Sequence, residues 1–172
     1  MENIVVKRAE LKHAALIADI SRQTFHDSFA AANTKEDMDK FLNEQFSREA
    51  LIKEVETNDG IFFIACEGDE VLGYVRLRDG EYHPQFGNLS SIEIVRIYTI
   101  KKAIGKGVGS ALIKKCIDTA NDLERKIIWL GVWEHNQRAI DFYSKWGFEK
   151  FGEHDFVLGT DVQTDWLMKK NL

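Results

Sequence analysis

Between Lys101 and Lys115 the chain reads KKAIGKGVGSALIKK: glycines alternate at 105, 107 and 109, lysines flank them, and an amphipathic helical pattern follows without a break. The first turn of a helix carries unpaired N–H groups and a partial positive charge, so it attracts an anion. Glycines let that anion come close to the backbone. The run is not a Walker loop, because Gly105-Lys106 leads into Gly107 rather than into Ser or Thr. It is not the dinucleotide fingerprint either, which needs a glycine where Ser110 stands and an opening βαβ unit. A plain turn would leave three glycines as an uncompensated cost of roughly 1 kcal/mol each. What remains is a diphosphate held by the successive amides of Lys106, Gly107, Val108, Gly109 and Ser110 beside Gly105.

Other residues have the types that chemistry needs. Tyr143 lies on the stripe Ala139, Phe142, Tyr143, Trp146 of a helix that Asn136 opens and Gly147 stops. That position suits a core tyrosine and a phenolic proton donor equally well. Asp27 stands among Phe25, His26 and Phe29, and an acid flanked by rings suits a cationic chain or an ordinary helix end. His13, His26, His83, His135 and His154 show no metal-ligand spacing, so no metal is expected. Cys66 and Cys116 lie in apolar surroundings and read as buried, reduced thiols, with neither placed to carry an acyl group.

The elements that must position these groups follow from periodicity. Strands are expected at Ile4–Val6, Ile61–Cys66, Val71–Leu77, Ser91–Ile100, Ile127–Val132, Phe148–Phe151 and Val162–Met168. Helices are expected over Leu11–Phe29, after Asn33 or Thr34, after Ser47, over Val108–Ala120 and after Asn136. The polar connection Asp79–Ser91 is long for a hairpin loop and suggests a flap. The 172 residues are 44% hydrophobic and 30% charged, which fits one domain over 1–172 with a substantial core. A net charge of −5 argues against nucleic acid. The start lacks a signal-peptide pattern, and no apolar run approaches the roughly 20 residues that span a membrane. A cytoplasmic protein is expected.

The segment NQRAIDFYSKWGF fills the pattern Asn-x-x-Ala-x-x-Phe-Tyr-x-Lys-x-Gly-Phe from Asn136 to Phe148. With the preceding strand and glycine loop, it resembles the GNAT superfamily of acetyl-CoA-dependent N-acetyltransferases. The family loop carries Gln or Arg where Ile104 stands, a departure that removes one side-chain contact and spares the amides. TFHDSF, RIYTI, IWLGVWEHNQRAIDFY, FVLG and QTD further resemble bacterial spermidine/spermine acetyltransferases of the PaiA type, although Val95 replaces a second acid.

The resemblance implies an α/β (α+β) fold: a mixed, mostly antiparallel sheet of about seven strands, helices on both faces, and a splay that admits acetyl-CoA. It implies direct transfer in a ternary complex to a small-molecule amine, preferably spermidine or spermine, by a monomer or homodimer. A protein amine, another small amine, or a CoA-binding regulator without activity are the alternatives. An alkyl amine with a pKa of about 10.4 costs about 4.6 kcal/mol to deprotonate at pH 7. Glu93 is the expected proton acceptor, with Glu93, Asp27 and Phe25 at the acceptor. The strand Ile97-Tyr98-Thr99 pairs with the pantetheine arm, and an amide near Tyr98 is favoured to hold the acyl oxygen. Tyr143 reprotonates the leaving thiolate, while Asn136 and Lys145 contact the coenzyme.

Overall fold

The computed structural model describes residues 3–80 and 83–172. Glu81 and Tyr82, inside the connection expected as a flap, lie outside the described residues, as do Met1 and Glu2 of the chain start. Seven strands form one sheet: β1 (Ile4–Arg8), β2 (Ile61–Glu67), β3 (Glu70–Asp79), β4 (Ser91–Thr99), β5 (Ile127–Trp133), β6 (Glu149–Leu158) and β7 (Asp161–Asn171). Their order is β1-β2-β3-β4-β5-β7-β6. Every pair is antiparallel except β4–β5, which is parallel. β6 runs far beyond the expected Phe148–Phe151. It is an edge strand, so its acidic segment Glu153-His154-Asp155 pairs with β7 without having to be apolar.

The helices are α1 (Ala14–Phe29), α2 (Lys35–Lys40), α3 (Arg48–Glu56), α4 (Val108–Asp122) and α5 (Gln137–Lys145). Thr34 caps α2 by accepting from the Asp37 amide at 3.1 Å, and Ser47 caps α3 by accepting from Ala50 at 3.2 Å. After α2 the chain widens into a π-helical turn over Phe41–Gln45. The Arg22 guanidinium donates to the carbonyls of Leu42 and Phe46 there, supplying backbone acceptors with donors. The turn lays the Phe41 ring on Phe25, with centroids 4.4 Å apart.

The sheet buries both faces. On one, α4 and α5 pack Leu112, Cys116, Ile140 and Tyr143 onto Val75, Leu77, Ile94 and Leu130. On the other, α1 and α3 cover Phe62, Ile64 and Tyr74 with Ile17, Ile20 and Val55. The described part of the connection after β3 is anchored at Phe86, which is buried with its ring 5.0 Å from Phe151 and 6.4 Å from Trp129.

One charged group interrupts the α1–α3 face. Arg76 and Arg96, with side chains 4% and 8% exposed, both reach Glu54 of α3, and Arg76 also meets Asp59 at 3.0 Å. Arg96 lies over the Phe46 ring at 5.3 Å. Two buried guanidinium groups depend on a carboxylate that nothing else replaces fully. Glu54→Ala is therefore expected to lower the unfolding free energy by about 3 kcal/mol. A denaturant titration showing a loss under about 1 kcal/mol would contradict that dependence.

Candidate active site

The site begins where two strands part. β4 pairs with β5 only from Ser91–Ile94 to Ile127–Leu130. The β3 register places Arg76 opposite Arg96 and Leu77 opposite Ile94, so Val95 is an extra residue, a bulge. A bulge bends its strand, and β4 leaves β5 at this level while β5 continues along β7 to Trp133. The opening is a cleft of about 1430 Å³, lined by Ile94–Thr99 on one wall and Leu130–Trp133 on the other.

The bulge also decides which amides face the cleft. Ile100 N donates to Leu72 O at 2.9 Å. Antiparallel partners alternate between bonded and non-bonded pairs, so Tyr98, opposite Tyr74, is bonded to β3. Ile97 and Thr99 fall in the other phase and turn their backbone groups toward the cleft. Of the strand Ile97-Tyr98-Thr99, expected to offer a donor near Tyr98, the residues whose amides face the cleft are thus Ile97 and Thr99 rather than Tyr98 itself. The Tyr98 side chain lies on the α1–α3 face, where its ring meets Tyr74 edge-on at 5.9 Å.

At one end of the cleft stands the glycine loop. Gly105 and Gly107 have φ of +81° and +86°, which an L side chain rarely adopts. The loop amide of Lys106 is not open, because it donates to Ala103 O at 3.2 Å and closes the turn. The amides of Gly107, Val108, Gly109 and Ser110 meet no acceptor among the described residues, since the first helical bond runs from Ala111 N to Gly107 O. Lys106 also does not line the cleft, while Gly105, Gly107, Gly109 and Ser110 do, with Lys101, Arg138 and Lys145 beside them. Val108 is instead wholly buried under the helix. Open amides, a helix start and three cations fit a diphosphate. Asn136 accepts from Ala139 N at 3.2 Å, capping α5 at the cleft wall.

Tyr143 sits between the ends, 8% exposed, and lines the cleft. Its hydroxyl makes no hydrogen bond to the described residues. Burial, with a smaller contribution from Cys116, pushes its pKa upward, so the phenol keeps its proton. Cys116 is fully buried and its thiol is likewise pushed up by burial. It is shielded rather than poised for attack.

The far end is acidic and aromatic. Asp27 lines it and accepts from Gln23 Nε2 at 2.9 Å. Phe25 is buried yet still lines the cleft, and Phe29 lies further out, 5.9 Å from Trp133. Asp165 of β7 lines the same end, with its carboxyl pushed up by burial and partly restored by His154. The tip of the β6–β7 hairpin holds this end in place: Thr160 N and Oγ1 donate to Asp37 Oδ1 at 2.8 and 2.7 Å. Gly159 (φ +64°) lies so close to α2 that a Cβ would stand 2.6 Å from Asp37 Cα.

Glu93 is the correction of most consequence. It is not a cleft-lining residue, and its carboxylate lies 3.3 Å from Arg78 Nη1 on β3. The residue sits on the face opposite Ile92 and Ile94, in the stretch still paired with β5, so the cleft has not yet opened at its level. Phe29 is among the rings beside Asp27 in the sequence, whereas Asp165 and Trp133 are cleft residues to which the residue patterns gave no role. The one available signal was an acid in a terminal strand between Thr164 and Trp166, and its burial depends on pairing with a distant strand.

Comparison with known proteins agrees with this geometry. Residues 22–148 match the model of the Acetyltransferase (GNAT) family. The uncharacterized N-acetyltransferase in the pepI 3′ region of Lactobacillus delbrueckii subsp. lactis is 39% identical over 153 residues, covering 89% of this chain and 88% of that one. The spermidine N(1)-acetyltransferase of Thermoplasma acidophilum is 21% identical, with 91% and 96% covered. The crystal structure of the PaiA N-acetyltransferase from Thermoplasma acidophilum in complex with coenzyme A superimposes with a TM-score of 0.77 at 19% identity, covering 99% of both chains. A parted β4–β5 pair, an open glycine cradle and a family match over most of its length make this chain a member of the GNAT family of acetyl-CoA-dependent N-acetyltransferases.

Proposed function

We propose that the protein acetylates a polyamine, with spermidine or spermine as the preferred acceptor, by direct transfer in a ternary complex. The observation that carries this reading is the polarity of the cleft. Open amides and Lys101, Arg138 and Lys145 stand at one end, and Asp27 and Asp165 stand among Phe29, Trp133 and Phe156 at the other. Arg76 and Arg96 also line the cleft, but Glu54 and Asp59 offset their charge. A chain of ammonium groups is attracted by carboxylates and by ring faces, and an aliphatic spacer lies against the apolar walls. The name of the Thermoplasma relative supports the same acceptor class.

Acetyl-CoA supplies the activated thioester. The amides of Gly107–Ser110 hold its diphosphate, and the β4 edge from Ile97 to Thr99 receives the pantetheine arm as an added strand. The amide of Ile97, which faces the cleft, stabilises charge on the acyl oxygen in this reading, a contact worth about 2.7–4 kcal/mol when preorganised. Tyr143 Oη holds a proton for the departing sulfur, and its raised pKa keeps that proton in place at neutral pH.

Two measurements test this. Thiol release from acetyl-CoA across a panel of amines is expected to be fastest with spermine and spermidine. If these are inert while a peptide α-amine reacts, the acceptor class is wrong. Tyr143→Phe keeps the ring and is expected to lower kcat about 100-fold with little change in coenzyme affinity. A variant with undiminished kcat would remove the phenol from the chemistry.

A further inference from the structure

We propose that Asp165 is the group that takes the proton from the incoming ammonium, with His154 positioned behind it to return that proton to water. The assignment deepens the amine-acceptor function above and rests on it. Asp165 is on β7 opposite Trp133, at the level where β4 has left β5, and its side chain is 17% exposed to the cleft. His154 is its register partner on β6, with Nε2 3.5 Å from Asp165 Oδ2. Both press on Gly131 of β5: Asp165 Oδ2 and His154 Cε1 lie 3.6 Å from where a Cβ on that residue would stand. Those are ordinary van der Waals distances, so the pair lies directly over Gly131. The histidine ring is 48% exposed, so a path runs from the cleft through Asp165 to His154 and out to solvent.

An ion pair built for stability would hold its carboxyl low. Here burial raises the Asp165 carboxyl by more than His154 lowers it, so the pair costs the fold something at neutral pH. A raised value also makes the carboxylate a better proton acceptor. The other titratable groups nearby do not supply the proton sink. Tyr98 of β4 faces Asp165 with its phenol pushed up by burial, and His83 faces His154 with its ring pushed down by burial. The step balances simply. One N–H bond of the ammonium breaks, and its electron pair stays on nitrogen as the attacking lone pair. The proton forms an O–H bond on Asp165 and is relayed by the His154 ring to water, regenerating the carboxylate.

Asp165→Asn is expected to reduce turnover of spermidine, or of whichever panel amine the wild type acetylates best, by about 100-fold at pH 7. The deficit should shrink at least about 10-fold by pH 10, where roughly a quarter of the amine arrives already neutral. Affinity for coenzyme A, measured by calorimetry, should not change. The raised carboxyl contributes stability only in acid, below its ordinary value, and loses that contribution as pH rises through the raised value. Asparagine should therefore leave the melting temperature at pH 7 unchanged or higher. His154→Gln should cost turnover about 10-fold, because water can still take the proton from Asp165 more slowly. Without coenzyme, spermidine should shift the His154 ring resonances in the wild type and not in Asp165→Asn. Wild-type turnover in Asp165→Asn, a deficit constant from pH 7 to pH 10, or unmoved His154 resonances would overturn the assignment. A wild type inert toward every amine would instead contradict the acceptor function itself.

Discussion

The structure depends on one interruption of hydrogen bonding. β4 and β5 are a parallel pair for four residues, and then the bulge at Val95 ends the pairing. A sheet interior cannot leave backbone groups unpaired without cost, so the gap is a place for something to bind. Continuing pairing on the outer side of both strands keeps the gap open: β3 holds β4, and β7 holds β5 past the point of separation. The opening is therefore a fixed feature of the fold, a ladder the protein leaves unfinished and to which the proposed function assigns the coenzyme arm.

Around this gap the charges are sorted. Lys101, Arg138, Lys145 and open helix amides line one end, the end proposed for the diphosphate, while acids and rings line the other, the end proposed for the acceptor. Between them, Arg76 and Arg96 would repel a cationic acceptor if Glu54 did not draw them to α3. One residue of α3 thus supports the fold and sets the sign of the cleft. The hairpin of β6 and β7 plays a comparable double part. Its tip is clasped by Asp37 of α2, and its body carries Asp165 and His154 to the acceptor end.

Local features were legible in the residues. Thr34, Ser47 and Asn136 are caps with their acceptor atoms where sequence placed them, and the alternating glycines announce an anion cradle. The helical stripe placed Tyr143 on the buried face of α5, where it is 8% exposed, without separating a core ring from a proton donor. What escaped depends on partners far along the chain. Glu93 looks like a cleft acid in isolation, yet Arg78 across the β3–β4 ladder lies against it. The choice between the Tyr98 amide and its neighbours hangs on one bulge that alternation does not reveal. Asp165 becomes a cleft residue only because β7 pairs with β5, a contact between positions more than thirty apart. The π-helical turn after α2 answers to Arg22 and to ring packing rather than to local propensity.

The central claim is that a specific set of backbone amides receives the coenzyme: Ile97 and Thr99 on the parted edge, and Gly107 through Ser110 at the helix start. Amide hydrogen exchange, followed residue by residue by NMR with and without coenzyme A, tests it directly. The account predicts that these six amides slow together on binding, while Tyr98, already bonded to β3, and Lys106, already bonded to Ala103, change little. Coenzyme binding that protects Tyr98 and Lys106 instead, or leaves the six unprotected, would contradict it.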